Sequence, residues 1–350
     1  MRDIILILLF VIIGQGIVAQ NDAPINKVIP VVHVFGTARY DFVQDRYDYG
    51  FGRAHLGFQY QFDHAWSAKI IIDRGRATSV GQLSFTDSEG NIFNIQNTSK
   101  EGAYYTMFLK FASLQWKVNT KLTIEGGAIL QNHYITQERF WGLRYVAPTF
   151  QDLHWQIPSS DLGFIAYYKA GNILSFDLAI TNGEGPRRVQ DAFGKVKFSG
   201  GIDIKPSQKI QTRLFYHHKQ SGTIGSAADA EQMFSVFMGF KPSEKIRISG
   251  EYNYISNLNN ADGFDSHGFS LFTAYHLADK MELFARYDRL FNEIPENLGT
   301  NIKEYGNMMI GGIAYSPFEN IHISVNYQCW ISDHENENEH NILLSMEYKF

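Results

Sequence analysis

The sequence predicts an all-β fold, a transmembrane antiparallel up-and-down β-barrel of about sixteen strands, with eighteen as the alternative count. Apolar and polar residues alternate along many short segments, as in strands that have one apolar face and one face exposed to water. Short polar turns alternate with longer connections, which is typical of barrels whose two ends differ. A short apolar run at the N-terminus has the form of an export signal.

The first element is a predicted secretory signal peptide over residues 1–19. Arg2 precedes the apolar run Ile4–Ile13, and the small residue Ala19 ends the segment. This run is shorter than the roughly 20 apolar residues that a membrane-spanning helix needs. We therefore expect cleavage of this segment and a single barrel over residues 20–350, with an uncleaved anchor as the alternative.

Strands follow from the period-two alternation, most clearly at the C-terminus. Ile342, Leu344 and Met346 share one parity that ends on Phe350, whereas Glu347 lies on the other parity. We expect this terminal strand to close the cylinder with its apolar face outward. The predicted strands are residues 31–44, 49–62, 65–75, 102–118, 121–133, 160–169, 172–181, 190–205, 208–218, 231–241, 244–256, 266–278, 280–289, 304–316, 320–332 and 339–350.

Turns between these strands repeat at similar intervals. KPSQKIQTRLFY (205–216) and KPSEKIRISGEY (241–252) are close copies, which indicates a repeated hairpin. A β-propeller is the competing repeat fold, but its blades contain four strands and these units contain two. The longest connections, 76–101 and 134–159, lie at the end opposite the short turns. Aromatic residues beside the short turns predict an interfacial girdle: Tyr60, Phe62, Trp66, Trp116, Tyr315, Tyr348 and Phe350.

Composition narrows the classes of function. The formal net charge of −5 over 350 residues argues against a nucleic-acid surface. The single Cys329 excludes an internal disulfide. GFGRAHLG (50–57) lacks the spacing of a dinucleotide fingerprint, so we expect no cofactor. The acidic segment 333–340 is expected to be a solvated loop, with a divalent-ion site as the alternative.

Five segments carry a resemblance to a known family. They are LKFASLQWKVNTKLTIEGGAIL (109–130), QERFWGLRYVAPTFQD (137–152), AITNGEG (179–185), LFARYDRL (283–290) and GGIAYSPFENIHISVNYQ (311–328). Together they resemble porins of the phosphate-selective porin O and P type, in the form common among Bacteroidota. The resemblance implies a monomeric or trimeric channel in the outer membrane of a Gram-negative bacterium, with a constriction loop folded into its lumen. The basic residues that anion-selective members use on the pore wall have no residue-by-residue match here.

The connection 134–159 is the candidate constriction loop. It is rich in aromatic residues, which could pack it against the wall and leave its charges over the opening. We expect Arg139 and Arg144 to face Glu138 or Asp152 across the constriction. The alternative is an outer loop that lies on top of the barrel and contacts lipopolysaccharide or a neighbouring subunit.

Parity also assigns charges to the inner wall. The inward basic side chains are expected to outweigh the acidic ones slightly, which predicts a weak preference for anions, including phosphate. For any one of these residues, pairing across adjacent strands is the alternative role. The predicted basic wall residues are Arg39, Arg53, Lys69, Lys195, Lys197, Arg213, Arg247 and Arg286.

These observations favour a porin, a water-filled channel for passive diffusion of small hydrophilic solutes. A substrate-specific channel is one alternative, although too few residues precede the first strand for a globular plug. A barrel enzyme of the outer-membrane phospholipase kind is the other alternative, but no spacing singles out a catalytic Ser–His pair. The expected partners are membrane lipid, lipopolysaccharide, small or anionic solutes and two further copies in a homotrimer.

Overall fold

The computed structural model describes residues 25–75, 82–96, 106–186, 195–221, 230–293, 305–333 and 338–350. The predicted signal peptide, residues 1–19, lies outside these residues, as does half of the acidic segment 333–340, residues 334–337. The predicted connection 76–101 is described only from residue 82 to residue 96. In the ranges that are described, no helix is long and apolar enough to cross a membrane.

Sixteen antiparallel strands pair edge to edge into a closed barrel, which confirms the predicted fold class and strand number. Each strand pairs with its neighbours in chain order, except where a small hairpin interrupts the series. The barrel strands are β1 (Lys27–Asp41), β2 (Arg46–Gln61), β3 (Trp66–Arg74), β6 (Met107–Lys117), β7 (Leu122–Leu130), β8 (Ser160–Lys169), β9 (Leu174–Thr181), β10 (Lys197–Ser207), β11 (Ile210–Lys219), β12 (Glu231–Ser243), β13 (Ile246–Ser256), β14 (Asp265–Ala278), β15 (Met281–Glu293), β16 (Gly306–Phe318), β17 (Ile321–Ser332) and β18 (Glu339–Lys349). The interrupting hairpin follows β3 and consists of β4 (Gln82–Thr86) and β5 (Ile92–Gln96), which form a separate two-stranded sheet.

The first and last strands close the barrel. β1 and β18 pair from His33 opposite Lys349 to Asp41 opposite Asn341. Val32 and Phe350 then exchange two backbone hydrogen bonds, with N···O distances of 2.9 and 3.0 Å. The terminal strand therefore performs the closing role that its alternation predicts, and the chain leaves no open sheet edge at this point.

Opposite faces of the strands differ in polarity. In β18, Ile342 and Leu344 are about half exposed on the outer surface, whereas Ser345 and Glu347 are buried on the inner side. The same alternation continues in β17, where Val325 is exposed and Asn326 is buried. An apolar outside and a polar inside are the reverse of a soluble protein and suit a barrel surrounded by lipid.

Aromatic side chains cluster near the short-turn end of the barrel. Trp66 and Trp116 are register partners on β3 and β6, and their rings stack with centroids 5.3 Å apart. Tyr60 and Phe62 make an edge-to-face contact with centroids 4.7 Å apart. These rings lie on the outer surface beside the turns, where an interfacial girdle is expected.

The two ends of the barrel differ in their connections. One end has the short turns, which we call the short-turn end, and the other is the long-loop end. Residues 131–159, which join β7 to β8 at the long-loop end, form the inserted loop. It contains two short helices, α1 (Ile135–Trp141) and α2 (Phe150–His154). A 3-10 turn, Leu258–Asn260, joins β13 to β14 at the same end.

Candidate functional site

The inserted loop lies inside the barrel. The rings of Phe140 and Phe237 on β12 meet with centroids 5.6 Å apart. Trp141 contacts Phe272 on β14 at 4.4 Å and Phe284 on β15 at 6.0 Å between ring centroids. All five side chains are buried in one apolar cluster. Because the wall partners occupy the inner face of their strands, the aromatic residues of the loop pack it against the wall.

Glycines on the inner wall leave room for two aromatic rings of the inserted loop, those of Phe140 and Phe150. A Cβ atom at Gly239 would lie 2.5 Å from the Phe140 ring, and one at Gly268 would lie 2.5 Å from the Phe150 ring. Carbon atoms in normal contact are about 3.5–4.0 Å apart, so a side chain at Gly239 would push the loop away. A side chain at Gly268 would meet the carbonyl oxygen of Arg289 on β15, 2.2 Å from its Cβ, as well as the Phe150 ring. The wall and the loop therefore have complementary shapes.

Hydrogen bonds fix the second helix of the inserted loop. The Gln151 amide donates to Asn253 Oδ1 at 2.7 Å and to Ser235 Oγ at 3.2 Å. Trp155 Nε1 donates to Ser266 Oγ at 2.6 Å. These buried polar groups would be costly to leave unpaired, so they select one position of the loop on the wall.

Three predicted wall arginines bind the loop. Arg213, Arg247 and Arg286 face inward as expected, but their guanidinium groups donate to backbone carbonyls of the inserted loop. The carbonyl partners are those of Asn132, Phe140 and Pro148, respectively. Each also bonds carboxylates: Arg213 with Asp177 and Asp203, Arg247 with Glu282, and Arg286 with Asp288.

The assignment of Arg213 and Arg286 as open pore-wall charges is therefore corrected. Arg213 is 1% exposed and Arg286 is 5% exposed, so neither presents its charge to open water. A guanidinium has five donors in a fixed plane, which lets it bond a carbonyl and a carboxylate at once. Parity predicts the side of the sheet correctly, but it does not reveal that another segment covers that side.

The charges of the inserted loop bond one another. Arg144 donates to Glu138 at 2.9 Å and to Asp152 at 2.5 Å. Burial by itself lowers the pKa of Arg144, but the carboxylates of Asp152 and Glu138 raise that pKa overall. Arg139 is exposed and has no ion pair among the described residues. The expected opposition across the opening is therefore wrong for Arg144, because its two acids lie within hydrogen-bond reach on the same loop.

The opposite inner wall carries a second set of charges. Lys69 Nζ lies 3.2 Å from Glu125, and Lys110 Nζ lies 2.9 Å from Asp73. The guanidinium of Arg53 lies 4.6 Å from the ring centre of Phe35 and has no ion pair in the part of the chain that is described. This wall, formed by β2, β3, β6 and β7, therefore faces the lumen with more basic than acidic groups.

The other predicted residues lie nearer the long-loop end. Arg39 is near the end of β1 and pairs with Asp48 on β2. Lys195 is partly buried just before β10. Lys197 on β10 is only 4% exposed. The predicted basic residues therefore divide between the rim, the loop anchors and the lumen.

A cavity of about 750 Å³ occupies the lumen between the inserted loop and the uncovered wall. The loop residues Tyr145, Val146 and Ala147 form part of its border. Its charged border has five basic and four acidic residues. They are Arg53, Lys110, Arg144, Lys197 and Lys219, with Asp73, Asp152, Glu184 and Glu231.

Two of the basic residues escaped the sequence analysis. Lys110 lies at a register shift between β3 and β6, where parity along the strand is interrupted. Lys219 follows the predicted strand 208–218 by one residue, and the observed β11 includes it. The register shift has no clear signal in the sequence, whereas extending the alternation by one residue would have found Lys219.

Comparisons with solved structures show the same fold. The outer membrane channel DcaP of Acinetobacter baumannii is 15% identical, with a TM-score of 0.61 over 93% of this chain and 97% of that chain. The trimer form of Vibrio cholerae OmpT is 12% identical, with a TM-score of 0.60 over 93% and 99%. An anion-selective porin from Comamonas acidovorans is 10% identical, with a TM-score of 0.61 over 93% and 100%.

A comparison with curated protein sequences found no significant match. The sequence profile of the family described as putative beta-barrel porin-2, OmpL-like, matches residues 153–329. This region is just over half of the chain and runs from the end of the inserted loop to β17. The closed barrel agrees with that match. The chain belongs to the putative beta-barrel porin-2, OmpL-like family.

Proposed function

We propose that this chain forms a water-filled channel for passive diffusion of small hydrophilic solutes. The family and the barrel fold imply the outer membrane of a Gram-negative bacterium. The observation that carries the proposal is the packing of the inserted loop on one side of the lumen, which leaves a polar cavity beside it. A barrel of this size is wide enough for an aqueous channel, and the loop narrows it.

The first test asks whether the inserted loop narrows the channel. Deletion of residues 138–152 is expected to raise single-channel conductance in planar bilayers, because these residues occupy the lumen. Deletion of residues 87–91, the turn between β4 and β5, is the control and is expected to leave conductance unchanged. Heat-dependent mobility on a detergent gel reports whether each barrel has folded. Unchanged conductance of a folded 138–152 deletion would refute the proposed constriction.

A weak anion preference is part of the proposal. Five basic and four acidic residues border the cavity, so its fixed charge is slightly positive. Fixed charge in a narrow aqueous space concentrates the opposite ion. The reversal potential in a KCl gradient is expected to favour chloride modestly, and a clear cation preference would contradict this. The Comamonas acidovorans porin is described as anion-selective, whereas phosphate selectivity stays a prediction for this chain.

We also propose a homotrimer that is in contact with lipid and lipopolysaccharide. The Vibrio cholerae OmpT structure is described as a trimer form, and the apolar outer surface of this barrel suits both lipid and subunit contacts. Cross-linking of the refolded protein, followed by mass determination in detergent, tests the assembly. A species of one chain only would refute the trimer without affecting the channel.

A further inference from the structure

A second segment folds into the lumen at the long-loop end. Residues 257–264, which join β13 to β14, form a compact turn that we call the entrance turn. The Leu258 and Phe264 side chains are both 1% exposed. They belong to the apolar cluster that also contains Phe150 and Trp155 of the inserted loop. The entrance turn is therefore anchored inside the barrel, against the inserted loop.

The sequence of the entrance turn suits a tight bend. Asn257, Asn259 and Asn260 have φ angles of +53°, +60° and +60°. Gly263 also has a positive φ angle, +71°. Asn and Gly adopt this left-handed conformation more readily than other residues. The backbone N–H of Gly263 donates to Asn257 Oδ1 at 3.1 Å, which closes the turn. These residues therefore favour a compact turn over an extended connection.

Polar contacts hold the entrance turn on the inner wall. The backbone N–H of Asn259 donates to Glu231 Oε2 at 2.7 Å. Glu231 is 6% exposed and lies on the inner face of β12. Asn257 Nδ2 donates to the carbonyl oxygen of Ala230, just before β12, at 3.2 Å. A buried carboxylate is costly to leave without hydrogen bonds, so the bond to Glu231 favours the inward position of the turn.

The entrance turn borders the path through the lumen. Leu258 and Asn259 both border the luminal cavity, and Asn259 is exposed. Residues 155–159 of the inserted loop and Gly183 after β9 also border the cavity, at the same end of the barrel. A solute that enters from the long-loop end therefore passes Asn259. The amide of this side chain is uncharged and can both donate and accept hydrogen bonds.

We propose that the entrance turn is a second constriction of the channel, in which Leu258 is the anchor and Asn259 is the residue that solutes pass. The inference rests on the proposed channel function and adds a filter at the long-loop end. A neutral side chain at a constriction limits the size of a solute without selecting the sign of its charge. The entrance turn therefore contributes to size exclusion, whereas the charged border of the cavity contributes to ion preference.

Cysteine modification tests the position of Asn259. Asn259→Cys is treated in planar bilayers with benzyl methanethiosulfonate, a neutral reagent that adds a bulky group to an exposed thiol. Single-channel conductance is expected to fall about twofold, because the added group narrows the path. The wild type should not respond, since its Cys329 is buried. Gln44→Cys is the matched control: it is exposed in the turn between β1 and β2 at the same end, away from the cavity border, and its modification should leave conductance unchanged.

Leu258→Ala tests the anchor. Loss of the buried side chain should release the entrance turn, so conductance is expected to rise and the reagent should have less effect on L258A/N259C than on Asn259→Cys. Leu258→Met keeps the volume of the side chain and should retain the wild-type conductance.

The outcomes separate this inference from the proposed function. Heat-dependent mobility on a detergent gel identifies the folded barrels, and mass spectrometry confirms that the cysteine is modified. Fully modified Asn259→Cys with unchanged conductance would overturn the second constriction, even if Leu258→Ala does not fold. A folded wild-type barrel without any conductance would instead refute the proposed channel.

Discussion

Gly239→Ala should displace the inserted loop while leaving the barrel closed. The three atoms nearest to a Cβ at this position all belong to the Phe140 ring, at 2.5 to 2.7 Å, and no backbone atom is among them. The ring must therefore retreat by about 1 Å to reach a normal carbon contact. Phe140 also contacts Phe237 and Phe272, so the ring cannot move without disturbing the packing of α1.

Forcing one extra carbon into a packed core costs about 1–3 kcal/mol. The penalty falls on the docked position of the loop, because only the loop is in conflict with the new methyl group. It should raise the population of displaced loop states roughly five- to hundredfold, since each 1.4 kcal/mol is a factor of ten. Single-channel recording of Gly239→Ala should show more frequent high-conductance substates and greater open-channel noise than the wild type.

Gly52→Ala is the matched control. Gly52 borders the luminal cavity, and the atom nearest to a Cβ at this position would be Phe35 Cβ at 3.7 Å, an ordinary contact. Phe140→Leu in the Gly239→Ala background should restore the wild-type conductance and open-channel noise, because the smaller side chain makes room for the methyl group. A folded Gly239→Ala barrel with wild-type conductance and noise would show that the docking of Phe140 does not set the channel width.

Two further outcomes follow from the inserted loop. Arg144→Met leaves the carboxylates of Glu138 and Asp152 without a counter-charge. The reversal potential in a KCl gradient should therefore shift toward cation preference. An unchanged reversal potential would show that these two acids lie outside the ion path. Trp155→Phe removes a buried hydrogen bond to Ser266 and should lower the free energy of unfolding in denaturant by about 1–3 kcal/mol. Tyr216→Phe, the control, removes an exposed hydrogen bond instead. If it lowered the free energy of unfolding as much as Trp155→Phe, burial would not be the reason for the effect of Trp155→Phe.

The barrel itself could be predicted from the sequence because its determinants are local. Alternation with a period of two places each residue on one face of its strand, whatever the partner strand is. Leu344 and Glu347 therefore reveal their faces without knowledge of β17 or β1. The closing role of Phe350 follows from the same pattern and from its place at the end of the chain.

The occupants of the lumen could not be predicted in the same way. Arg213 and Arg53 both face inward, yet Arg213 is buried beneath the inserted loop and Arg53 borders open space. The difference depends on contacts such as that between Arg213 and Asn132, which are distant in the sequence. No local pattern records whether a distant segment folds back over a given stretch of wall.

A signal for the inserted loop is nevertheless present in β12. Met233 and Phe237 occupy its inner face, whereas Phe234 and Met238 occupy its outer face, so the strand has large apolar residues on both sides. A strand between lipid and water needs only one apolar face, because an apolar inner face in contact with water gains nothing from burial. Apolar residues on both parities of a barrel strand therefore indicate that something apolar covers it from inside. In this chain the covering segment is the inserted loop, whose Phe140 packs directly on Phe237.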